Sequence, residues 1–393
     1  MAKFPINCRW VLYLTLVLAL IVPGILAKDT SCKASVEVSD NQGEISHQKY
    51  TIMRPTINET NGWIQSYKAA PDAYLSPRGQ DKLKSTGGSH FTIVGHLNYT
   101  PSERDQGTCG NCWAWAGTGI LEIALDTQLG IKDRLSVQYF NSNYNYGNGD
   151  DWSCCGGWLQ DFAKFYNDRK MVVPWSNTDA QWQDGRMTCG TESSVPAKSI
   201  SSDPHYDLES VQVVTIPTWG IEKEEAIANI KNVLDQEKGV WFGLFLPNQT
   251  AWNRFFDFWG YQPECSVWQP DIYTSQYSYS DGGGHAVLCV GYNDTDPKNR
   301  YWIMLNSWGV TKGRPDGFFM MNMDMNYSCE YSSLGNAFYW MTLDVNYTKR
   351  SPDEHLNRLG LYHKGFKKLA PMPPLKISGP NEVSVKLKKL GSI

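Results

Sequence analysis

Charge is scarce in this chain: only 19% of its 393 residues are Asp, Glu, Lys or Arg. Long apolar runs are scarcer. The one candidate, Trp10 to Val22, is about 13 residues long, short of the roughly 20 needed to span a bilayer. No internal repeat is present, which removes solenoid architectures. Low charge alongside 41% hydrophobic and 13% aromatic residues, with 16 Trp and 21 Tyr, excludes disordered, collagen-like and coiled-coil chains. A formal net charge of −4 conceals an uneven distribution. Residues 349–393 carry ten Lys/Arg against three Asp/Glu, while residues 28–348 carry 24 basic against 37 acidic groups, a net −13. A body that acidic argues against nucleic acid as the main partner. Ten cysteines are few for a disulfide-only scaffold and many for a reduced cytosolic enzyme.

Lys3 and Arg9 precede the apolar run, and small residues follow at Gly24 and Ala27. That order describes a secretory signal peptide over 1–27, cleaved after Ala27, in preference to a membrane anchor. Six Asn-x-Ser/Thr sequons, at Asn58, Asn98, Asn248, Asn293, Asn326 and Asn346, are the expected glycosylation sites. The expectation is a soluble, monomeric protein of the secretory pathway, extracellular or lysosomal/vacuolar, with its cysteines in an oxidising compartment.

Residues 28–95 are polar and read as a weakly structured leader or pro-segment. Apolar spacings of three and four predict a helix over 112–129 and a shorter one from Glu222 to Leu234. The Asn-, Gly- and Asp-dense stretch 141–158 reads as loop. From about 239, the runs Val240–Leu246, Ala286–Tyr292, Tyr301–Leu305 and Phe318–Met321 read as antiparallel strands. The expected class is α+β, with a helical lobe over about 105–215 and a β lobe over about 216–348. The basic stretch 349–393 reads as an extended tail.

The densest chemistry lies at Asp105-Gln106-Gly107-Thr108-Cys109-Gly110-Asn111-Cys112-Trp113. Cys112 stands where loop becomes helix, and there unpaired N–H groups and the helix dipole favour thiolate. Three other uses of that cysteine remain open on the local pattern: a disulfide partner, a Cys-x-x-Cys redox pair, or part of a zinc site with Cys154 and Cys155. A nucleophilic cysteine needs a base, and of seven histidines only His285 has a rigid setting. It opens a buried strand after Gly282-Gly283-Gly284. The next strand ends in Asn306-Ser307-Trp308-Gly309, so an amide emerges where it can orient the imidazole.

Gln106, Cys109-Gly110-Asn111-Cys112-Trp113-Ala114, Cys154-Cys155-Gly156-Gly157, His285-Ala286-Val287 and Asn306-Ser307-Trp308-Gly309 resemble the papain-like cysteine proteases, in the family's order and over roughly residues 97–345. The resemblance implies a cathepsin-like two-lobe peptidase domain over 96–348, with the active-site cleft between the lobes. Cys112 would be the nucleophile, His285 its base, Asn306 the orienter of the imidazole and Gln106 an oxyanion donor. Gly156 and Gly157 would pair with an extended peptide, and Trp308 would shield the His285–Asn306 hydrogen bond. It implies peptide-bond hydrolysis through a thioester, activation from a zymogen, protein inhibitors of the cystatin type, and neither cofactor nor metal. It also implies disulfides Cys109–Cys154 and Cys265–Cys329, leaving Cys155 and Cys189 as a third. Cys289 would be a buried free thiol.

Several features depart from the family pattern. Asn111 replaces a small residue, and His285 and Asn306 lie beyond the roughly 130–150 residues that usually separate them from the nucleophile. An insertion over 266–284 accounts for part of that excess and should border the cleft. Val240-Trp241-Phe242 stands where the family lines a specificity pocket. The unusual insertion and basic tail motivate a different class, a non-catalytic papain-fold secreted binding protein. A third class, a Cys109/Cys112 thiol oxidoreductase, lacks the thioredoxin-like βαβ pattern around its pair.

Overall fold

The computed structural model describes residues 50–77, 88–273 and 276–349. The expected signal peptide and the tail beyond Lys349 lie outside the described residues. Among the described residues the helices are α1 (Ile57–Ala69), α2 (Cys112–Leu129), α3 (Val137–Asn143), α4 (Leu159–Arg169), α5 (Lys223–Leu234) and α6 (Gln249–Tyr261). The strands are β1 (His90–Thr92), β2 (Met171–Val172), β3 (Tyr206–Thr215), β4 (Val240–Leu246), β5 (Val267–Trp268), β6 (Gly283–Asn293), β7 (Tyr301–Leu305), β8 (Phe318–Asn322), β9 (Glu330–Tyr331), β10 (Gly335–Asn336) and β11 (Phe338–Tyr347). This is the expected α+β class, with helices concentrated before residue 170 and sheet after 205.

Nine strands form one sheet in the order β2-β3-β11-β4-β6-β7-β8-β5, with β1 pairing β6. Its pairings are antiparallel except β5 on β8. Every residue of β4 is buried, as a continuous apolar run flanked by strands and covered on its faces requires. Helix α2 is buried from Cys112 to Leu125, so it is a core helix and not a surface one. It ends at Gly130, whose φ of 68° is the left-handed C-cap conformation. Within β4, Trp241 donates from Nε1 to the Trp113 carbonyl at 3.2 Å and packs edge-on against Trp158. Val240-Trp241-Phe242 therefore fills the core under helix α2.

The leader departs from its weakly structured reading. Helix α1 starts with a capping box: Glu59 N–H donates to Thr56 Oγ1 at 3.3 Å, and Thr56 N–H donates to Glu59 Oε2 at 2.7 Å. Its fixed points are tertiary. Trp63 stacks on Trp158, with centroids 5.3 Å apart and planes 6° apart, and Tyr67 meets Tyr339 edge-on. A helix that buries only Thr60 and Trp63 has no apolar stripe for periodicity to find.

Candidate active site

Two structural supports meet at the site. The first is the irregular loop 104–111 that feeds α2. It is tied to the Asn306 turn by Gln106 N–H donating to the Ser307 carbonyl at 2.8 Å and Gly309 N–H donating to the Arg104 carbonyl at 2.9 Å. Gly107 holds φ +63°, and a Cβ there would sit 1.9 Å from the Gly185 carbonyl oxygen, so only glycine fits. The second support is the β6–β7 ladder, in which Leu288 faces Leu305. That register brings His285, near the start of β6, beside Asn306, just past the end of β7.

His285 Nε2 lies 2.8 Å from Asn306 Oδ1, and the imidazole stacks on Trp308 at 4.3 Å. Cys112 Sγ accepts the Ala286 N–H at 3.4 Å, which places the thiol against the residue next to His285. Gln106 Nε2 donates to the Cys109 carbonyl at 2.8 Å, while its Oε1 accepts from Ser307 Oγ at 2.7 Å. Cys112, His285, Asn306 and Gln106, singled out in the sequence, thus come together with Trp308. Ser307 stood unassigned inside the Asn306–Gly309 motif, yet it fixes which way the Gln106 amide faces.

Residues 50–54, in the stretch expected to be a leader, lie in this cleft. Gln106 Nε2 also donates to the Thr51 carbonyl at 3.2 Å, and Trp308 Nε1 donates to the same oxygen at 3.3 Å. Met53 and Gly284 exchange backbone hydrogen bonds of 2.8 and 2.9 Å. Arg54 donates to the Gly282 carbonyl and to Gln249 Oε1, both at 2.9 Å. Tyr50 stacks on Trp308. Gly156 faces Met53: a Cβ on it would lie 3.2 Å from Met53 Cβ. A Cβ on Gly157 would instead strike the Trp113 ring at 2.4 Å, so that glycine serves packing inside the helical half. The 266–284 insertion reaches the cleft edge through Gly282 and through Tyr277, which packs edge-on against Phe245.

Burial sets the electrostatics of the pair. Cys112 and His285 are fully buried. Burial pushes the thiol up to about 12 although the N–H groups of Ala286, Trp113 and Cys112 pull it down. It pushes the imidazole down to about 4 against the opposing Asn306 hydrogen bond. The thiolate expected at this helix start is therefore not the form held here: desolvation outweighs the helix terminus. His285 Nδ1 and Asn306 Nδ2 are buried without hydrogen-bond partners among the described residues.

The cysteines need one correction. Cys109 is bonded to Cys154 and Cys155 to Cys189. Cys329 keeps a free, buried thiol, so the Cys265–Cys329 bridge is not formed. Cys265 is itself disulfide-bonded and has no thiol left for Cys329. Cys289 is a buried free thiol. Of the sequons, Asn58, Asn98, Asn326 and Asn346 are exposed, whereas Asn248 and Asn293 are half-buried. Asn248 caps α6 through its side chain. Among the described residues no His/Cys/Asp/Glu cluster has the makings of a metal site, and no helix is long and apolar enough to cross a membrane.

A sequence model for the papain family cysteine proteases matches residues 97–232 and 257–337. Cathepsin L of Sarcophaga peregrina is 26% identical over 284 residues, covering 70% of this chain and 68% of its own length. A cathepsin B-like protein, CP3, of Giardia intestinalis is 27% identical over 270 residues, covering 68% and 80% respectively. Among solved structures, procathepsin B S9 from Trypanosoma congolense superposes with a TM-score of 0.46 at 17% identity, over 75% of this chain and 89% of that one.

Proposed function

Because the chain belongs to the papain family of cysteine proteases, we propose that it is a peptidase that cleaves internal peptide bonds through a Cys112 thioester. The observation that carries this reading is the environment of the Thr51 carbonyl. A backbone C=O lies in the cleft and takes the Gln106 amide, beside a thiol seated on the Ala286 N–H and a histidine held by Asn306.

In the uncovered enzyme, His285 takes the Cys112 proton through its free Nδ1, with Asn306 holding Nε2. Sulfur attacks the substrate carbonyl carbon, and the developing oxyanion is held by Gln106 Nε2 and the Cys112 backbone N–H. Donors of this kind are worth roughly 3–4 kcal/mol. The C–N bond breaks as His285 gives its proton to the leaving amine, and water then hydrolyses the thioester. Substrates are extended polypeptides that pair with the Gly284 backbone, as Met53 does here. Cystatin-type proteins would compete for the same cleft.

The covered state is a latent one, supported by the Thr51 and Met53 contacts and by the neutral thiol and imidazole of the buried pair. Removal of the leader ahead of β1 converts it to the active form. The two disulfides among the described residues and the exposed sequons support an oxidising destination, extracellular or lysosomal. Replacing Cys112→Ala is expected to abolish peptide turnover while the circular dichroism spectrum and melting temperature stay those of the parent. Retained turnover in that variant would sink the reading.

A further inference from the structure

Asp184 is fully buried, and it accepts five hydrogen bonds. Gln138 Nε2 donates at 2.6 Å, Asn141 Nδ2 at 2.5 Å, and Ser193 Oγ, Ser194 N–H and Ser194 Oγ each at 2.7 Å. Among the described residues no Lys or Arg pairs with it. A carboxylate offers about four lone-pair directions, so this one is saturated by neutral donors. Burying an acid at such a point is costly unless every oxygen is satisfied.

Asp184 lies behind the nucleophile loop and is linked to it by two routes, one from its backbone and one from its carboxylate. Through the backbone, Met187 N–H bonds the Asp184 carbonyl at 2.9 Å, and Thr108 N–H donates to the Gly185 carbonyl at 2.8 Å. Thr108 Oγ1 adds a bond to the Met187 carbonyl at 3.0 Å. Through side chains, Asn141 gives its N–H to Asp184 and turns its Oδ1 to Asn111 Nδ2 at 3.1 Å and to the Ser153 hydroxyl. Asn111, a departure from the family's small residue, is therefore an anchor point. The Cys112 sulfur is held differently, by β6 through the Ala286 N–H.

We propose that Asp184 is a positioning residue: its carboxylate, acting through Asn141 on Asn111, clamps the Asn111 end of the 106–111 loop and so sets the Cys112 N–H against the reacting carbonyl. The inference rests on the peptidase reading above. Asp184→Asn keeps the volume but points an NH2 at donors, which releases the clamp without emptying the site.

The test uses the full-length chain, with its leader released by the same limited proteolysis in every variant. Two rates are compared: hydrolysis of a peptide substrate, and alkylation of Cys112 by iodoacetamide followed by peptide mass mapping. Alkylation displaces iodide from carbon as the S–C bond forms, so no oxyanion develops. Asp184→Asn is expected to lower kcat about 10- to 100-fold, with KM and the alkylation rate within about twofold of the parent. An unchanged kcat overturns the proposal. So does a joint fall in kcat and alkylation, which marks a merely structural role. If Asp184→Asn does not fold, Ser194→Ala decides by removing one of the five donors. A kcat loss of about threefold at constant KM and alkylation supports the clamp, and an unchanged kcat overturns it. A parent enzyme that is alkylated at Cys112 yet hydrolyses no peptide defeats the peptidase reading and this one together. Normal parent turnover matched by Asp184→Asn defeats this one alone.

Discussion

The thiol side and the imidazole side of the cleft are built by different physics. His285 and Asn306 are placed by the β6–β7 ladder, whose register follows from apolar residues alternating into a sheet core. The Gln106–Cys112 loop has no such ladder. It is held by the Cys109–Cys154 bridge, by a glycine with no room for a Cβ, and by hydrogen bonds to Gly185, Ser307 and Asn141. A strand is positioned by many weak, redundant contacts. An irregular loop depends on a few specific ones, and losing one of them moves the chemistry before it unfolds the protein.

That contrast breaks most sharply in the sheet core. Trp340 on β11 is fully buried against Phe242 and Trp302. Trp340→Ala is expected to cost about 3–5 kcal/mol of stability in denaturant titration, while kcat per active site of the folded fraction stays unchanged. A matching fall in kcat would show that the sheet transmits strain to the cleft.

Next comes the loop side. Cys109→Ser with Cys154→Ser is expected to cost about 2–4 kcal/mol and, unlike the core variant, to lower kcat of protein that remains folded. Titrated active sites and melting curves measured on the same sample separate the two effects. An unaltered kcat would show that hydrogen bonds alone hold the loop.

The smallest effect concerns the cover. His285 is held near 4 when buried and returns toward about 6.5 once water reaches it. The uncovered form therefore binds more protons between pH ~6.5 and ~4. The cover keeps its full stability above that window and loses it as pH falls through it. Moving the full-length chain from pH 7 to pH 5 should increase opening about 20-fold. Hydrogen exchange at the Met53 amide, corrected for intrinsic rate, would report it, with β7 amides as the unaffected control. Equal protection at both pH values would uncouple the leader from His285.

Much of this was legible along the chain because the signals were local. The helix over 112–129 and the strands Val240–Leu246 and Tyr301–Leu305 appear at those bounds. Helix α6 was not recognised. Trp252, Phe255, Phe256 and Trp259 do recur at helical spacing, but aromatics in a strand-rich half weigh equally toward sheet. The pairing of β3 with β11 joins residues more than a hundred apart and leaves no local trace. The wrong cysteine pairing came from a family-like segment around Cys265 in a chain that bonds that cysteine otherwise.

The linear order of residues was enough to determine the chemistry on offer: a thiol at a helix start, a histidine opening a strand, an amide at the end of the next, and a glutamine upstream. Each depends on neighbours within a few positions. Tertiary structure alone decided the state of that chemistry. Packing from every side buries Cys112 and His285 completely and reverses the ionisation that the helix terminus favours. Desolvation is set by everything packed around a group, so it cannot be read from the residues beside it in the chain.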